Sequence, residues 1–317
     1  MIIIMVMRGH VRALAAALGG GVALLLAGCA SAPAAVPSAA AAGTIAAVGA
    51  ENQYASVIQQ VGGRYVHVSA IMSNPGTDPH TFEASTSIAR EISSAQLVVQ
   101  NGLGYDTFMN SIENAVPDSA RTVIDVQKLL GLPDSTPNPH LWYKPSVMPA
   151  VAAAIAGGLA KIQPAHASYF RANALAFTGS LAPWQRALAA VRARYAGTPV
   201  AVTEPVADYL LQAAGTDIRT PFAFQAGIMN GVDPSAQDVA LERDLFTQRK
   251  VAVLVYNQQV TDTLTQSFIA LARANGVPVV GVYETMPVPG YTYQSWMLAE
   301  TQKLQQAVTA KKSTEKL

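Results

Sequence analysis

The sequence is short of cysteine, of charge and of histidine. Its 317 residues include one cysteine, Cys29, and five histidines, and charged residues make up only 13%, against about 25% in a typical soluble protein. A single cysteine excludes an intrachain disulfide and leaves a metal site to be built from nitrogen and oxygen. The formal net charge of +1 gives no electrostatic reason to expect nucleic acid as a partner. No H-E-x-x-H occurs, so the helical zinc-hydrolase motif is missing. No G-x-x-x-x-G-K-[ST] occurs either, so the chain supplies no P-loop. Gly102-Leu103-Gly104 lacks the third glycine of a dinucleotide fingerprint and reads as a turn.

The N-terminus reads as an address. Arg8, His10 and Arg12 make a basic start, residues 13–26 are an apolar run, and Leu26-Ala27-Gly28-Cys29 closes it. The run is too short for a good membrane span and has the shape of a secretory signal. Small residues ahead of the cysteine have the form of a bacterial lipobox. Residues 1–28 are therefore expected to be a lipoprotein signal peptide, with lipid on Cys29 holding the product at a membrane surface without spanning it. An unlipidated signal with an incidental cysteine is the plainer alternative. Met5 and Met7 offer starts that shorten the leader. Removal of residues 1–28 takes away Arg8 and Arg12 and no acid, turning the net charge from +1 to −1. Residues 29–43, low in complexity and poor in large apolar side chains, read as a flexible tether.

The remaining length is comfortable for two cores of about 130 residues each. Strand-like apolar runs at 44–48, 66–72, 96–100 and 122–126 alternate with helix-like segments at 51–61, 85–94 and 107–115. This alternation predicts a mostly parallel α/β lobe over 44–163. A helix over 147–161 ends it. From Phe170, an apolar stripe through Ala174, Phe177, Leu181, Trp184, Leu188, Val191 and Tyr195 steps alternately by four and three along roughly 40 Å of helix. Gly179 and Pro183 predict a break near Ser180. The plain reading is a core helix; the sharper one is a link over 164–196 between two lobes. The α/β pattern resumes over 197–317, with strands at 199–202, 250–256 and 277–283 and helices at 206–214, 235–249, 262–274 and 294–309.

Two proline-held histidines stand out on loops, in Asp78-Pro79-His80 and Asn138-Pro139-His140. Glu204, Asn257 and Glu284 fall where second-lobe strands end, the edge at which open α/β sheets bind ligands. His80 and His140 with Glu204 and Glu284 suit a divalent first-row cation such as Zn²⁺ or Mn²⁺, held across an inter-lobe cleft. Each residue also has a plain alternative. Histidines and prolines are common in surface turns, Glu204 suits a helix N-terminus, and Glu284 suits a loop cap. His67 and His166 read as structural histidines.

Six segments, in order, carry a resemblance. They are ENQYASVIQQVGG, SNPGTDPHTFEAS, LVVQNGLGYDTFM, NPHLWYKPSVMPAVAAAIA, PVAVTEPVADYLLQAAG and VPVVGVYETMPVPGYTYQSWML. Over about residues 44–308 the chain resembles the solute-binding proteins of zinc and manganese ABC importers. The resemblance implies two α/β lobes joined by a long helix, with the metal in the cleft and His80, His140 and Glu204 as ligands. Zinc-type relatives often have histidine where Glu204 stands and carry a His- and acid-rich loop, and both are missing here. Manganese-type relatives have glutamate there and aspartate as fourth ligand; Glu284 is the nearest acid to that place. Asn138 and Lys144 occupy positions that are often aspartate.

The function expected is that of an exported, monomeric lipoprotein that is not an enzyme. It captures Zn²⁺ or Mn²⁺ and delivers it to a cognate ABC permease and its ATPase. A surface or adhesive lipoprotein merely stabilised by metal, and a zinc hydrolase with an open coordination position, are the alternatives.

Overall fold

A computed structural model describes residues 43–76, 82–287 and 289–317. Its first sheet is built from β1 (Ile45–Glu51), β2 (Val66–Met72), β3 (Leu97–Gln100) and β4 (Thr122–Asp125), all parallel, in the order β2-β1-β3-β4. β1 and β3 are buried on both faces, which is why they read as near-continuous apolar runs rather than alternating ones. The crossovers are α1 (Asn52–Gly62), α2 (Thr86–Ser94) and α3 (Thr107–Ala115), followed by the short α4 (Val126–Leu129) and by α5 (Val147–Ile162). Ser85 starts α2 by accepting the Ile88 N–H on its hydroxyl.

The predicted long helical segment is two helices, α6 (Ala167–Ser180) and α7 (Ala182–Tyr195), broken at Leu181. The break lies next to the position that Gly179 and Pro183 indicate, with Pro183 in the first turn of α7, where a missing N–H costs nothing. The predicted stripe is the buried face through Val191, since Phe170, Ala174, Phe177, Leu181, Trp184, Leu188 and Val191 are all in the core, while its last member, Tyr195, is half-buried against it. α6 packs on α1 and α5.

The second sheet repeats the first topology. β5 (Pro199–Val202), β6 (Asp217–Ile218), β7 (Val253–Asn257) and β8 (Val279–Val282) run parallel in the order β6-β5-β7-β8. They are linked by α8 (Asp208–Ala213), α9 (Phe222–Met229), α10 (Ala236–Thr247) and α11 (Thr263–Ala274), with α12 (Tyr293–Ala310) closing the lobe against α7. β6 and α9 were not expected from sequence, and α8 begins at Asp208 rather than at residue 206. Asp262 with Thr265, and Thr292 with Ser295, form capping boxes at α11 and α12.

One apolar core runs through both lobes, from Ile45 and Leu97 past Val151, Phe170 and Trp184 to Val253, Trp296 and Leu304. Smaller clusters cover the outer faces, around Ile92 and Met109 on the first sheet and around Phe224, Phe246 and Phe268 on the second. Polar clasps tie the lobes as well. The Asn52 amide donates to the Met286 carbonyl (2.7 Å) and accepts its N–H (2.9 Å), and the Tyr293 hydroxyl donates to the Trp142 carbonyl (2.6 Å).

The free edge of β8 is covered by the chain beyond α12: the Thr314 N–H donates to the Val279 carbonyl (2.8 Å) and Thr314 bridges Val280 in parallel. Gly281 makes this approach possible, because a Cβ there would run into the Glu315 carbonyl and the Gln258 amide. Gly281→Ala is expected to destabilise the protein by about 1–3 kcal/mol, read as a lower urea midpoint at unchanged slope.

Candidate metal site

In both sheets the chain leaves the first strand in one direction and returns on its other side. The topological switch points therefore lie between β1 and β3 and between β5 and β7, and ligands bind at the carboxyl ends of strands at such points. Glu204 follows β5, Asn257 ends β7 and Glu284 follows β8. His140 lies on the loop between α4 and α5, with Leu141–Tyr143 forming a 3₁₀ turn directly after it. All four are buried.

Asn138 decides what the His140 ring can do. Its side-chain NH₂ donates to the Pro205 carbonyl (2.7 Å), which fixes the amide orientation. Its Oδ1 then accepts both the His140 backbone N–H (3.0 Å) and ring Nδ1–H (2.8 Å). With Nδ1 carrying hydrogen, Nε2 is the atom left to coordinate, the arrangement by which second-shell partners orient metal-binding histidines. Nε2 points at Glu284 Oε2, 3.1 Å away. Two lone pairs at that distance repel, so a hydrogen lies between them and a cation can take its place. Tyr105 and Trp142 stand edge-on to the ring, with centroids 5.7 and 5.4 Å away. Asn138 also joins the lobes, since Pro205 follows Glu204 and the Tyr209 hydroxyl donates to the Asn138 carbonyl (3.0 Å).

The two carboxylates meet at one amide. Asn257 Nδ2 donates to Glu284 Oε1 (2.5 Å) and lies 3.3 and 3.4 Å from the two oxygens of Glu204. Its orientation is set by the Gln259 backbone N–H, which donates to Asn257 Oδ1 (3.0 Å). The Gln259 side chain in turn accepts the N–H groups of Glu284 (2.7 Å) and Thr285 (2.8 Å), fixing the loop that carries the acid. From the first lobe, the Tyr105 hydroxyl donates to Glu284 Oε2 (2.8 Å). Burial, then the charge of Glu284, pushes this phenol well above its ordinary range, so it remains a donor at physiological pH.

Tyr105 is presented by the turn that the sequence marks. Gly102, Leu103 and Gly104 have φ of 79°, 55° and 77°, a run that a non-glycine residue joins at a cost of about 1–2 kcal/mol. Asp106 holds the turn by accepting the N–H groups of Asn101 (2.5 Å) and Gly102 (2.9 Å). Its burial pushes its carboxyl up to about 6, and those two bonds act in the opposite direction. The Asn101 side chain then donates to the carbonyl of Pro139, directly before His140 (2.9 Å).

The structure thus brings His140 against Glu284, and Glu204 and Glu284 to the same amide. Glu204 precedes α8 by four residues, and Glu284 is fully buried. His80 and Cys29 lie outside the described residues. β2, which leads toward His80, pairs its last residue Met72 with Glu51 of β1, so that loop leaves from the carboxyl edge of the first sheet. Among the described residues alone, no three His, Cys, Asp or Glu side chains form a metal-holding group, and the Asn257 amide stands between the two acids. His67 is exposed on β2, and His166 stacks on Tyr65 (3.8 Å between centroids), so both are structural as expected. Lys144 places its ammonium 5.8 Å from the Tyr209 ring centroid.

Two parallel-sheet lobes thus bring an imidazole carried on a loop against a carboxylate that follows a strand end. The profile of ZnuA, the periplasmic component A of the zinc-uptake complex, matches residues 48–307, and the chain belongs to this family. It is similar to the manganese-binding lipoprotein MntA of Bacillus subtilis, at 22% identity over 78% of this chain and 79% of MntA. It is also similar to the zinc-binding protein TroA of Treponema pallidum, at 24% identity over 70% of this chain and 73% of TroA. The TroA structure superposes with a TM-score of 0.69 at 19% identity, covering 85% of this chain and all of TroA. FpvC of Pseudomonas aeruginosa, solved with Mn²⁺, gives 0.69 at 21% identity over 84% of this chain and 99% of FpvC. These relatives are metal-binding proteins, and they favour neither the hydrolase reading nor that of a metal-stabilised structural protein. Among the described residues no helix is long and apolar enough to cross a membrane.

Proposed function

We propose that this chain captures one Zn²⁺ or Mn²⁺ ion between His80, His140, Glu204 and Glu284 and hands it to an ABC permease driven by its own ATPase. The observation that carries this reading is the fixed His140 tautomer, with Nδ1–H held by Asn138 and Nε2 aimed at Glu284 3.1 Å away. A buried imidazole facing a buried carboxylate is a half-built cation site, and His80 and Glu204 complete it. Nitrogen and oxygen ligands in equal number suit a borderline cation, and intrinsic affinity favours Zn²⁺ over Mn²⁺. Residues 1–28 are read as the signal peptide, Cys29 as the lipid-bearing residue and 29–43 as the tether. Residues 44–163 and 197–317 are the lobes, linked by 164–196, in a monomer at the outer face of a membrane.

The test is a competition titration of the metal-stripped protein with Zn²⁺ and Mn²⁺, with bound metal counted by mass spectrometry. One equivalent is expected. Binding should weaken in His80→Ala by at least about tenfold, since even second-shell changes cost ~10–100-fold. No stoichiometric binding of either ion would overturn the reading.

A further inference from the structure

We propose that the groove between α5 and α6, with the basic surface around it, docks on the anionic phospholipid headgroups of a membrane; the inference goes beyond the metal-site reading and does not depend on it. The charge of the chain is divided unevenly. Residues 135–203, which include α5, α6 and α7, contain no aspartate or glutamate, and α1, which packs on α5 and α6, contains none either. The whole chain has 21 lysines and arginines and 20 acids, so the acid is concentrated elsewhere. Lys161, Arg171, Arg186, Arg192 and Arg194 are exposed on α5, α6 and α7, and none has an ion-pair partner among the described residues. Single cations on a helix surface are ordinary. Three consecutive helices without an acid sum to a positive field that attracts anions.

The groove supplies the apolar half of the contact. Its volume is about 340 Å³, and Ala153 and Gly157 of α5 and Leu175 of α6 line it, with Arg171 as its charged member. A Cβ on Gly157 would meet open space, and Leu175 is 74% exposed, more than any other large apolar side chain described. Lys161 follows Gly157 by one helical turn and continues that line of α5 with a second cation. An exposed leucine beside long basic side chains suits a phospholipid surface, with apolar contact at the acyl boundary and the cations at the phosphates. Beside the start of α6, the Arg64 guanidinium lies 4.9 and 5.6 Å from the half-buried rings of Tyr65 and Tyr169, a pairing of cation and amphipathic ring that membrane interfaces favour. The entry point of the chain favours a membrane over an acidic protein. The Gln163 side-chain amide donates to the carbonyl of Gly43 (2.7 Å), the first described residue, so the chain enters two residues past Lys161. A tether bearing lipid at Cys29, as proposed above, joins the fold beside this surface and raises the local concentration of lipid phosphate there.

The experiment uses unlipidated residues 29–317, which contain the whole described fold, with a chelator present so that no metal bridges protein to lipid. Sedimentation is measured with vesicles of phosphatidylcholine alone and of phosphatidylcholine mixed with phosphatidylglycerol. The expected result is binding to the mixed vesicles only, weakening as salt is added. Lys161→Gln with Arg171→Gln should reduce the partition coefficient by at least about tenfold, since each cation near an anionic surface contributes about fivefold. Leu175→Ser should reduce it by about fivefold, through lost apolar contact. Lys250→Gln with Lys316→Gln, exposed cations of the second lobe, should leave it unchanged. All five positions are exposed, and circular dichroism checks that the fold is kept. No binding to the mixed vesicles overturns the proposal, as does equal binding to both kinds. An equal loss from the second-lobe pair would show that net charge, not this face, does the binding. Binding to polyglutamate without binding to vesicles would mean that the face meets an acidic protein instead, and the membrane assignment would be wrong.

Discussion

Replacing His140 by alanine should cut the thermal stabilisation expected from Zn²⁺ to about a third or less and leave the fold in place. The imidazole is fully buried, and its Nε2 is the only one of its polar atoms directed at the acids, because Nδ1–H is spent on Asn138. Removing it takes away the proposed ligand and leaves Glu284 Oε2 with the Tyr105 hydroxyl on that side. Affinity is expected to fall by at least about 100-fold, the upper end of what second-shell changes alone produce. A ligand present at about 1,000 times its dissociation constant stabilises by about 4 kcal/mol, and a 100-fold weaker one at the same concentration by only about 1.4 kcal/mol. The fold should tolerate the change. The Asn138 amide keeps the residue-140 backbone N–H and the Pro205 carbonyl, and the Tyr209 hydroxyl still holds the Asn138 carbonyl. The cavity and the lost ring bonds should cost the metal-free protein about 2–3 kcal/mol. Melting curves with and without Zn²⁺ check both halves. A metal-dependent rise in Tm equal to the parent's would show that His140 is not a ligand.

Part of the candidate site was legible because the residues proposed as its donors are chemically conspicuous and sit beside breakers. Pro139 marks His140, and Glu204 and Glu284 follow apolar runs that are parallel strands. The residues that orient them carry no local mark. Tyr105 reaches Glu284 across 179 positions, and Gln259 reaches it across 25, so neither pairing leaves a trace in any short window. Asn138 was visible only as a departure from an expected aspartate, and the structure gives the departure a reason. An aspartate accepts the Nδ1–H as well, but only an amide can also donate to the Pro205 carbonyl.

The fold shows the same division. Strands buried on both faces and helices with Ser, Asp or Thr caps were readable to within a few residues, because those signals are local. β6 is two residues long and escapes any periodicity. α9 follows Pro221 and is apolar over much of its circumference, so no single face announces it. The break between α6 and α7 was legible from Gly179 and Pro183, whereas the shared core that makes those helices a joint between the lobes is a long-range property.

Stability of the metal-free protein should fall as pH rises from 5 to 8, and Glu300→Gln should remove a large part of that fall. Glu300 lies on α12, fully buried beside an apolar cavity lined by Leu210, Val255, Val280 and Leu304. Its Oε1 accepts the Trp296 indole N–H (2.9 Å) and lies 3.4 Å from the Tyr143 hydroxyl, while Oε2 has no partner among the described residues. Burial pushes the carboxyl up to about 8, against the pull of those donors. The folded protein therefore keeps a proton that the unfolded chain gives up near the ordinary value of 4.5. The contribution is fully present below the unfolded pKa and is lost as pH rises through the folded one, at up to about 1.4 kcal/mol per pH unit between them. Glu242, pushed by burial to about 8, and Asp208, pushed to about 7, act with the same sign. Glutamine at 300 keeps an acceptor for the Trp296 indole and does not ionise. Urea unfolding in the presence of a chelator at pH 5, 6, 7 and 8 should give a variant that loses about 2–4 kcal/mol less than the parent across that range. The metal-free state matters, because a bound cation adds its own proton linkage through His140. Parallel curves for the two proteins would mean that Glu300 is already ionised in the fold, and that the apolar cavity beside it admits enough water to solvate the charge.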